Sequence, residues 1–200
     1  MKNKITGIIL AAGGSKRLGQ PKQILKINNE YLINLVISNS LESNLSSIVV
    51  VLGAYYNQIR PILNNENKIQ IVNNRDWRKG QSTSLISGLK IADTDKTNAV
   101  MFLLGDQPFI TKNIINSLID KFDEGMHDVV MVKTGEKKTP PIIFSRSCFE
   151  QIYKLEGDKG ARDIIGSLKT GYLENLDPTA IIDIDTKEEY KIIKNAYSHI

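Results

Sequence analysis

Cysteine is almost absent from this 200-residue sequence. Cys148 stands alone, which excludes an internal disulfide framework and any multi-cysteine zinc or iron–sulfur site. A reducing cytoplasm is the compartment expected for such a chain. No apolar run approaches the roughly 20 residues that a membrane span needs, so no membrane association is expected. Charge of one sign is also scarce: 26 Lys and Arg stand against 22 Asp and Glu, a formal net charge of +4. The basic residues are scattered among acids with no arm or stripe, so no nucleic-acid partner is expected, and phosphorylated small molecules account for the mild excess equally well. There is no low-complexity linker and no internal repeat. Residues 1–200 therefore read as one domain, long enough to bury on the order of 70% of its unfolded surface in one core.

What is present is an alternation of strand-length apolar runs and helical patterns. Residues 5–12 and 47–52 are near-continuous apolar stretches, as strands buried on both faces require. The first is preceded by Lys2 and Lys4 and followed by Ala11-Ala12-Gly13, an imitation of a secretory signal. Its apolar part is at the short limit for one, and removal would delete a good strand. Between the two runs, Leu32, Leu35, Val36, Asn39 and Ser40 fall at helical spacing. The β-α-β unit repeats: a helix at 55–63, a strand at 68–72, a helix at 82–92 and a strand at 99–104. A helix at 112–122 and a strand at 128–133 follow, then a short strand at 142–144 after Pro140-Pro141. Helices at 147–155 and 161–167, a strand at 181–184 and a last helix capped by Thr186 and Glu189 complete the chain. The order implies right-handed crossovers and a single-domain three-layer α/β/α architecture around a mostly parallel sheet.

Five segments could carry chemistry. The first strand runs into Ala12-Gly13-Gly14-Ser15-Lys16-Arg17-Leu18-Gly19-Gln20-Pro21-Lys22, which puts backbone N–H groups and cations where a polyphosphate would sit. It is neither a Walker A loop, since Gln20 and Pro21 stand at the Lys and Ser/Thr positions, nor a dinucleotide fingerprint. The strand at 99–104 ends in Gly105-Asp106-Gln107-Pro108, with a carboxylate suited to magnesium. Asp183 and Asp185 offer a second carboxylate. The segments 77–84 and 157–163 open helices with glycines, hydroxyls and an arginine, good for capping and equally good for an anion.

The pattern Leu-Ala-Ala-Gly-x-Ser-x-Arg-x-Gly-x-x-Lys over 10–22 resembles the signature of nucleotidyltransferases with the nucleotide-diphospho-sugar-transferase, or glycosyltransferase-A-like, fold. With Gly105-Asp106-Gln107-Pro108, Gly157-Asp158-Lys159-Gly160-Ala161-Arg162 and Asp183-Ile184-Asp185-Thr186, the likeness narrows to molybdenum cofactor cytidylyltransferases and spans almost the whole chain. The resemblance implies cytidylyl transfer from CTP to molybdenum-molybdopterin with Mg2+, releasing pyrophosphate. It assigns Leu10, Ala11, Ala12, Gly13 and Gly14 to nucleotide contacts, Arg17 and Lys22 to phosphate charge, and Gly80 and Ser84 to the base. Asp106 with Asp185, preferred to Asp183, would hold the metal. Gln107, Pro108, Gly160, Ala161 and Arg162 would face the acceptor. Gln23, where many relatives are aliphatic, and Lys187, where proline is usual, depart from the pattern. An acceptor phosphate needs no strong base, so His127 and His199 are expected to be bystanders, and Cys148 a small core residue. A molybdenum hydroxylase or its accessory protein is the implied recipient. Two alternatives remain open: a same-fold enzyme using GTP or a sugar or polyol phosphate, and a non-catalytic protein that hands molybdenum cofactor to a hydroxylase.

Overall fold

The structure, a computed structural model, describes residues 3–15, 18–174, 176–182, 184 and 186–197. Its first half is β1 (Ile5–Ala11), β2 (Lys26–Ile27), β3 (Glu30–Tyr31), α1 (Leu32–Leu41), β4 (Ser47–Leu52), α2 (Tyr56–Ile59), β5 (Gln70–Asn73) and α3 (Gln81–Ala92). The second half is β6 (Ala99–Leu104), α4 (Lys112–Asp123), β7 (Val129–Thr134), β8 (Lys137–Ser145), α5 (Phe149–Tyr153), β9 (Thr170–Leu173) and α6 (Lys187–Tyr197). Among the described residues β2 and β3 form a small hairpin, and the other seven strands form one sheet in the order β5-β4-β1-β6-β8-β7-β9. Only β8 runs against its neighbours, so the sheet is mostly parallel.

Alternation along the strands sends side chains to two helical layers. Ile9 and Ala11 pack with Ile33 and Ile37 of α1 and with Ile115 and Ile119 of α4. On the opposite face Ile8, Val51 and Phe102 pack with Leu85 and Leu89 of α3 and Ile152 of α5. Gly88 lets α3 lie close to the sheet, because a Cβ there would run into Ile8 and come within 2.9 Å of Val51. A third, smaller cluster joins Leu18, Leu25, Ile27, Leu32, Ile184 and Ile193. It ties the loop after β1 to the β2–β3 hairpin and to α6, and the Tyr190 hydroxyl donates to the Lys26 carbonyl at 2.7 Å.

The architecture agrees with the sequence; several elements differ from it. The helix expected at 55–63 is α2 followed by a 3-10 turn, Arg60–Ile62, where Pro61 supplies no backbone N–H. The expected 161–167 helix is of 3-10 type. In place of a short strand at 142–144, β8 extends over nine residues through Pro140 and Pro141, at a register shift opposite Met131 and Val132, where proline is tolerated. No strand forms at 181–184 among the described residues: Ile181 ends a 3-10 turn, Pro178–Ile181, and Ile184 is buried in the third cluster. The missing edge strand is β9 instead, parallel to β7. Thr186 and Glu189 do cap α6: Glu189 N–H donates to the Thr186 hydroxyl and Thr186 N–H to the Glu189 carboxylate. Among the described residues no helix is long and apolar enough to cross a membrane.

Candidate active site

The parallel strands β1 and β6 end side by side, and the loops leaving them, with the turn into α3 and Asp158, enclose a cleft of about 780 Å³. The loop after β1 supplies Ala12, Gly13, Gly14 and Ser15. Its path is set locally. Ser15 takes a positive φ of 42°, its carbonyl accepts from Leu18 N–H and Gly19 N–H at 3.2 Å each, and its hydroxyl accepts from Lys22 N–H at 3.2 Å. Neighbouring loops hold it in place: Ala54 N–H donates to Ala12 O, and the Tyr55 hydroxyl donates to Gly14 O at 3.0 Å. A Cβ on Gly14 would sit 3.2 Å from the Trp77 ring, so glycine lets the loop approach the indole closely without displacing it.

Lys22 leaves this loop and places its ammonium 3.1 Å from Asp106 Oδ2, with both side chains less than one-fifth exposed. Asp106 follows β6, and Gly105 before it has no room for a side chain between Ala11 and Ile33. A cation and an anion thus meet at the mouth of the sheet, where an entering polyphosphate would draw on the first and a divalent cation on the second. Gln23, the neighbour of Lys22, is buried; its amide N–H donates weakly to Ala11 O at 3.4 Å, and its carbonyl oxygen has no hydrogen-bond partner.

The opposite wall is the start of α3. Asn74, buried beneath it, donates from one amide nitrogen to Thr83 Oγ1 at 2.9 Å and Ser84 Oγ at 3.0 Å. Ser84 therefore keeps its own hydroxyl proton to give. Gly80, with φ 116°, lies directly on the Gly157 backbone, whose carbonyl accepts from both the N–H and the hydroxyl of Ser82 at 3.1 and 2.8 Å. The 157–160 turn is thereby brought to the mouth of the cleft, and Asp158 lines it.

Of the residues singled out in the sequence, Leu10, Ala12, Gly13, Gly14, Lys22, Gly80, Ser84 and Asp106 line this one cleft. Ala11 points to the other side, into the core beneath α1. Gln107 is buried and its amide N–H donates to Thr139 Oγ1 at 3.4 Å. Gly160 N–H caps the following turn by donating to Asp163 Oδ2, and Arg162 is exposed; with Gln107, Pro108 and Ala161 these stand outside the lining. Arg17, Asp183 and Asp185 lie outside the described residues. Trp77, Arg78, Gln81, Leu104 and Asp158 also line the cleft without having been assigned a role. Arg78 stacks over Trp77 at 4.8 Å, and its place in a polar turn beside the only tryptophan was the available signal. His127 fills the space above Gly171 that a side chain would take, a packing role.

A divalent cation fits this donor set in one respect. Mg2+ takes one or two carboxylates and completes its shell with phosphate oxygens and water, and Asp106 offers one hard oxygen ligand in a roomy cleft. No group of three or more His, Cys, Asp or Glu suited to a metal exists among the described residues, which do not include Asp183 and Asp185.

Comparison with known proteins agrees with this geometry. The MobA-like NTP transferase domain matches residues 7–171. The chain is 33% identical to the purine catabolism protein PucB of Bacillus subtilis, covering 97% of this chain and 98% of that protein. It is 27% identical to the molybdenum cofactor cytidylyltransferase of Escherichia coli, covering 96% and 97%. It superposes on the crystal structure of a Mycobacterium tuberculosis Rv0371c homologue from Mycobacterium sp. strain JC1 with a TM-score of 0.85, at 26% identity over 100% of this chain and 99% of the other. A glycine loop, a lysine and an aspartate converge at the carboxyl edge of a sheet that such a family shares, and the chain belongs to the MobA-like NTP transferase family.

Proposed function

We propose that the protein transfers a cytidylyl group from CTP to the terminal phosphate of molybdenum-molybdopterin, forming the cytosine dinucleotide cofactor and pyrophosphate. The observation that carries nucleotidyl transfer is the convergence in one cleft of the Gly13-Gly14 loop, the Lys22 ammonium and the Asp106 carboxylate. CTP and the pterin are favoured by Ala12, where guanylyl-transferring relatives usually carry glycine, and by the cytidylyltransferase relative at 27% identity.

In this reading the triphosphate lies along the loop, its oxygens taken by the N–H groups of Gly13 and Gly14 and by Lys22, with Arg17 contributing further charge. Ser84 offers a hydroxyl proton to the base from the start of α3, and Gly80 lines the same wall of the cleft. An acceptor phosphate oxygen attacks the α-phosphorus; the new P–O bond forms as the bond to the bridging oxygen of the β-phosphate breaks, and that electron pair departs with pyrophosphate. A phosphate monoester is already ionised at neutral pH, so no protein base is required, and catalysis rests on positioning and charge neutralisation. Asp106, with Asp185, would hold Mg2+, which when bound supplies positive charge to the phosphates. Lys22 sits next to Asp106 and is placed to follow charge from the α-phosphate onto the departing pyrophosphate.

The test is pyrophosphate release measured with each of the four nucleotides, with and without molybdenum cofactor. Release with CTP that requires the cofactor is expected. Release that prefers GTP, or that needs a sugar phosphate instead, overturns the substrate assignment. No release with any nucleotide, together with tight cofactor binding, would favour an accessory role in hydroxylase maturation.

A further inference from the structure

The cleft occupies only the part of the sheet's carboxyl edge at β1 and β6. Both β6 and β7 run against β8, so β6 and β7 point the same way and Lys133, near the end of β7, emerges at the edge from which Asp106 emerges. A long hydrogen bond of 3.4 Å from Gln107 to Thr139 links the two regions. We propose that Lys133, Lys138 and Tyr172 form a ledge there that binds an acceptor bearing a phosphate monoester and a flat heterocycle, a proposal that rests on the nucleotidyltransferase reading.

Three observations point to an anionic, planar ligand. Lys133 and Lys138 are direct cross-strand partners, a pairing of like charges that destabilises a sheet unless something lies between them. Both ammoniums stand over one ring, at 5.6 Å and 5.1 Å from the centroid of Tyr172. Tyr172 packs on the same face of the sheet as Leu10, Ala12 and Trp77, the face onto which the cleft opens. Acids nearby hold the Lys133 ammonium: Glu174 pairs with it at 3.2 Å and, by that hydrogen bond and charge with a smaller contribution from the exposed Glu136, raises its pKa, whereas Lys138 stands exposed beside it. A dianionic phosphate between the two ammoniums relieves their repulsion, and the tyrosine beneath offers an aromatic surface to a conjugated ring.

The probe is neopterin monophosphate, a pterin with one phosphate monoester, titrated calorimetrically into the full chain beside unphosphorylated neopterin. The phosphorylated form is expected to bind, the plain form at least tenfold more weakly, and the Lys133→Ala/Lys138→Ala double variant to lose at least tenfold for the phosphorylated form. Lys90→Ala, on α3, is expected to bind both forms as the unsubstituted chain does. CTP binding within twofold of normal in the double variant shows that the fold and the cleft survive. Equal binding by the double variant and the unsubstituted chain overturns the ledge, as does no binding to the unsubstituted chain. Lysine-dependent binding in a chain that releases no pyrophosphate from any nucleotide would instead sink the transferase reading and leave the ledge standing.

Discussion

Lys22 holds its ammonium 3.1 Å from the Asp106 carboxylate, and the phosphates of an entering nucleotide compete for that ammonium. Lys22→Ala should lower kcat by about two orders of magnitude or more, the usual cost of losing one preorganised donor to a transition state. If only the KM for CTP rises, the lysine holds ground and transition states equally. Asp106→Asn removes no core volume but takes the carboxylate from the mostly buried Lys22 ammonium, so a modest fall in thermal midpoint with a retained fold is expected. Turnover should fall by an amount equivalent to several kcal/mol if a metal is lost, and near-normal turnover at saturating Mg2+ would remove Asp106 from the metal site. The loop glycines, Lys22, Asp106 and Ser84 were legible in the sequence because their chemistry is carried by short local motifs. Asp158 was not legible as a cleft residue, since it arrives there only through the packing of Gly157 on Gly80. Ala11 differs from its neighbour: one step along an alternating strand turns its side chain away from Ala12 and into the core.

Among the secondary-structure elements, β1, β4 and β6 follow the sequence closely because strands buried on both faces must be apolar throughout. β9 was hidden by Gly171, where the His127 ring occupies the side-chain space, and by its place at the sheet edge. α3 gives the sharpest test of packing. Gly88→Ala gains helix propensity of about 1 kcal/mol but drives a methyl group into Ile8, so a net loss of up to about 2 kcal/mol is expected, as for overpacked cores generally. A chemical denaturation series checks it, and a more stable variant would show that α3 can move off the sheet. At the other end of α3, the Tyr153 hydroxyl donates to Asp93 Oδ2 at 3.0 Å. Burial first, then this hydrogen bond and the Asp93 charge, push the phenol up to about 12. Its contribution to stability is therefore full below the unfolded value near 10 and is lost as pH rises through about 12. Tyr153→Phe should be less stable than the unsubstituted chain at pH 8, with the difference shrinking above pH 10 in thermal melts.

For the whole molecule, one sheet supports two regions along a single edge. The parallel strands β1 and β6 open onto the cleft, and β8, antiparallel between β6 and β7, lets β7 point the same way and bring its lysine to the same edge. The parallel half could be read from alternating runs and helices, but the reversal depends on a bulged strand containing two prolines, for which local pattern gave only three residues. The functional account requires the α-phosphorus of the nucleotide to leave with the acceptor. The most direct measurement uses CTP labelled at the α-phosphorus, incubated with the protein, Mg2+ and molybdenum-molybdopterin, followed by separation of the products. The label is expected in a pterin dinucleotide, with unlabelled pyrophosphate released in equal amount and neither product formed by Asp106→Asn. Label that stays in CTP, or that appears as free CMP whether or not the pterin is present, would contradict the account.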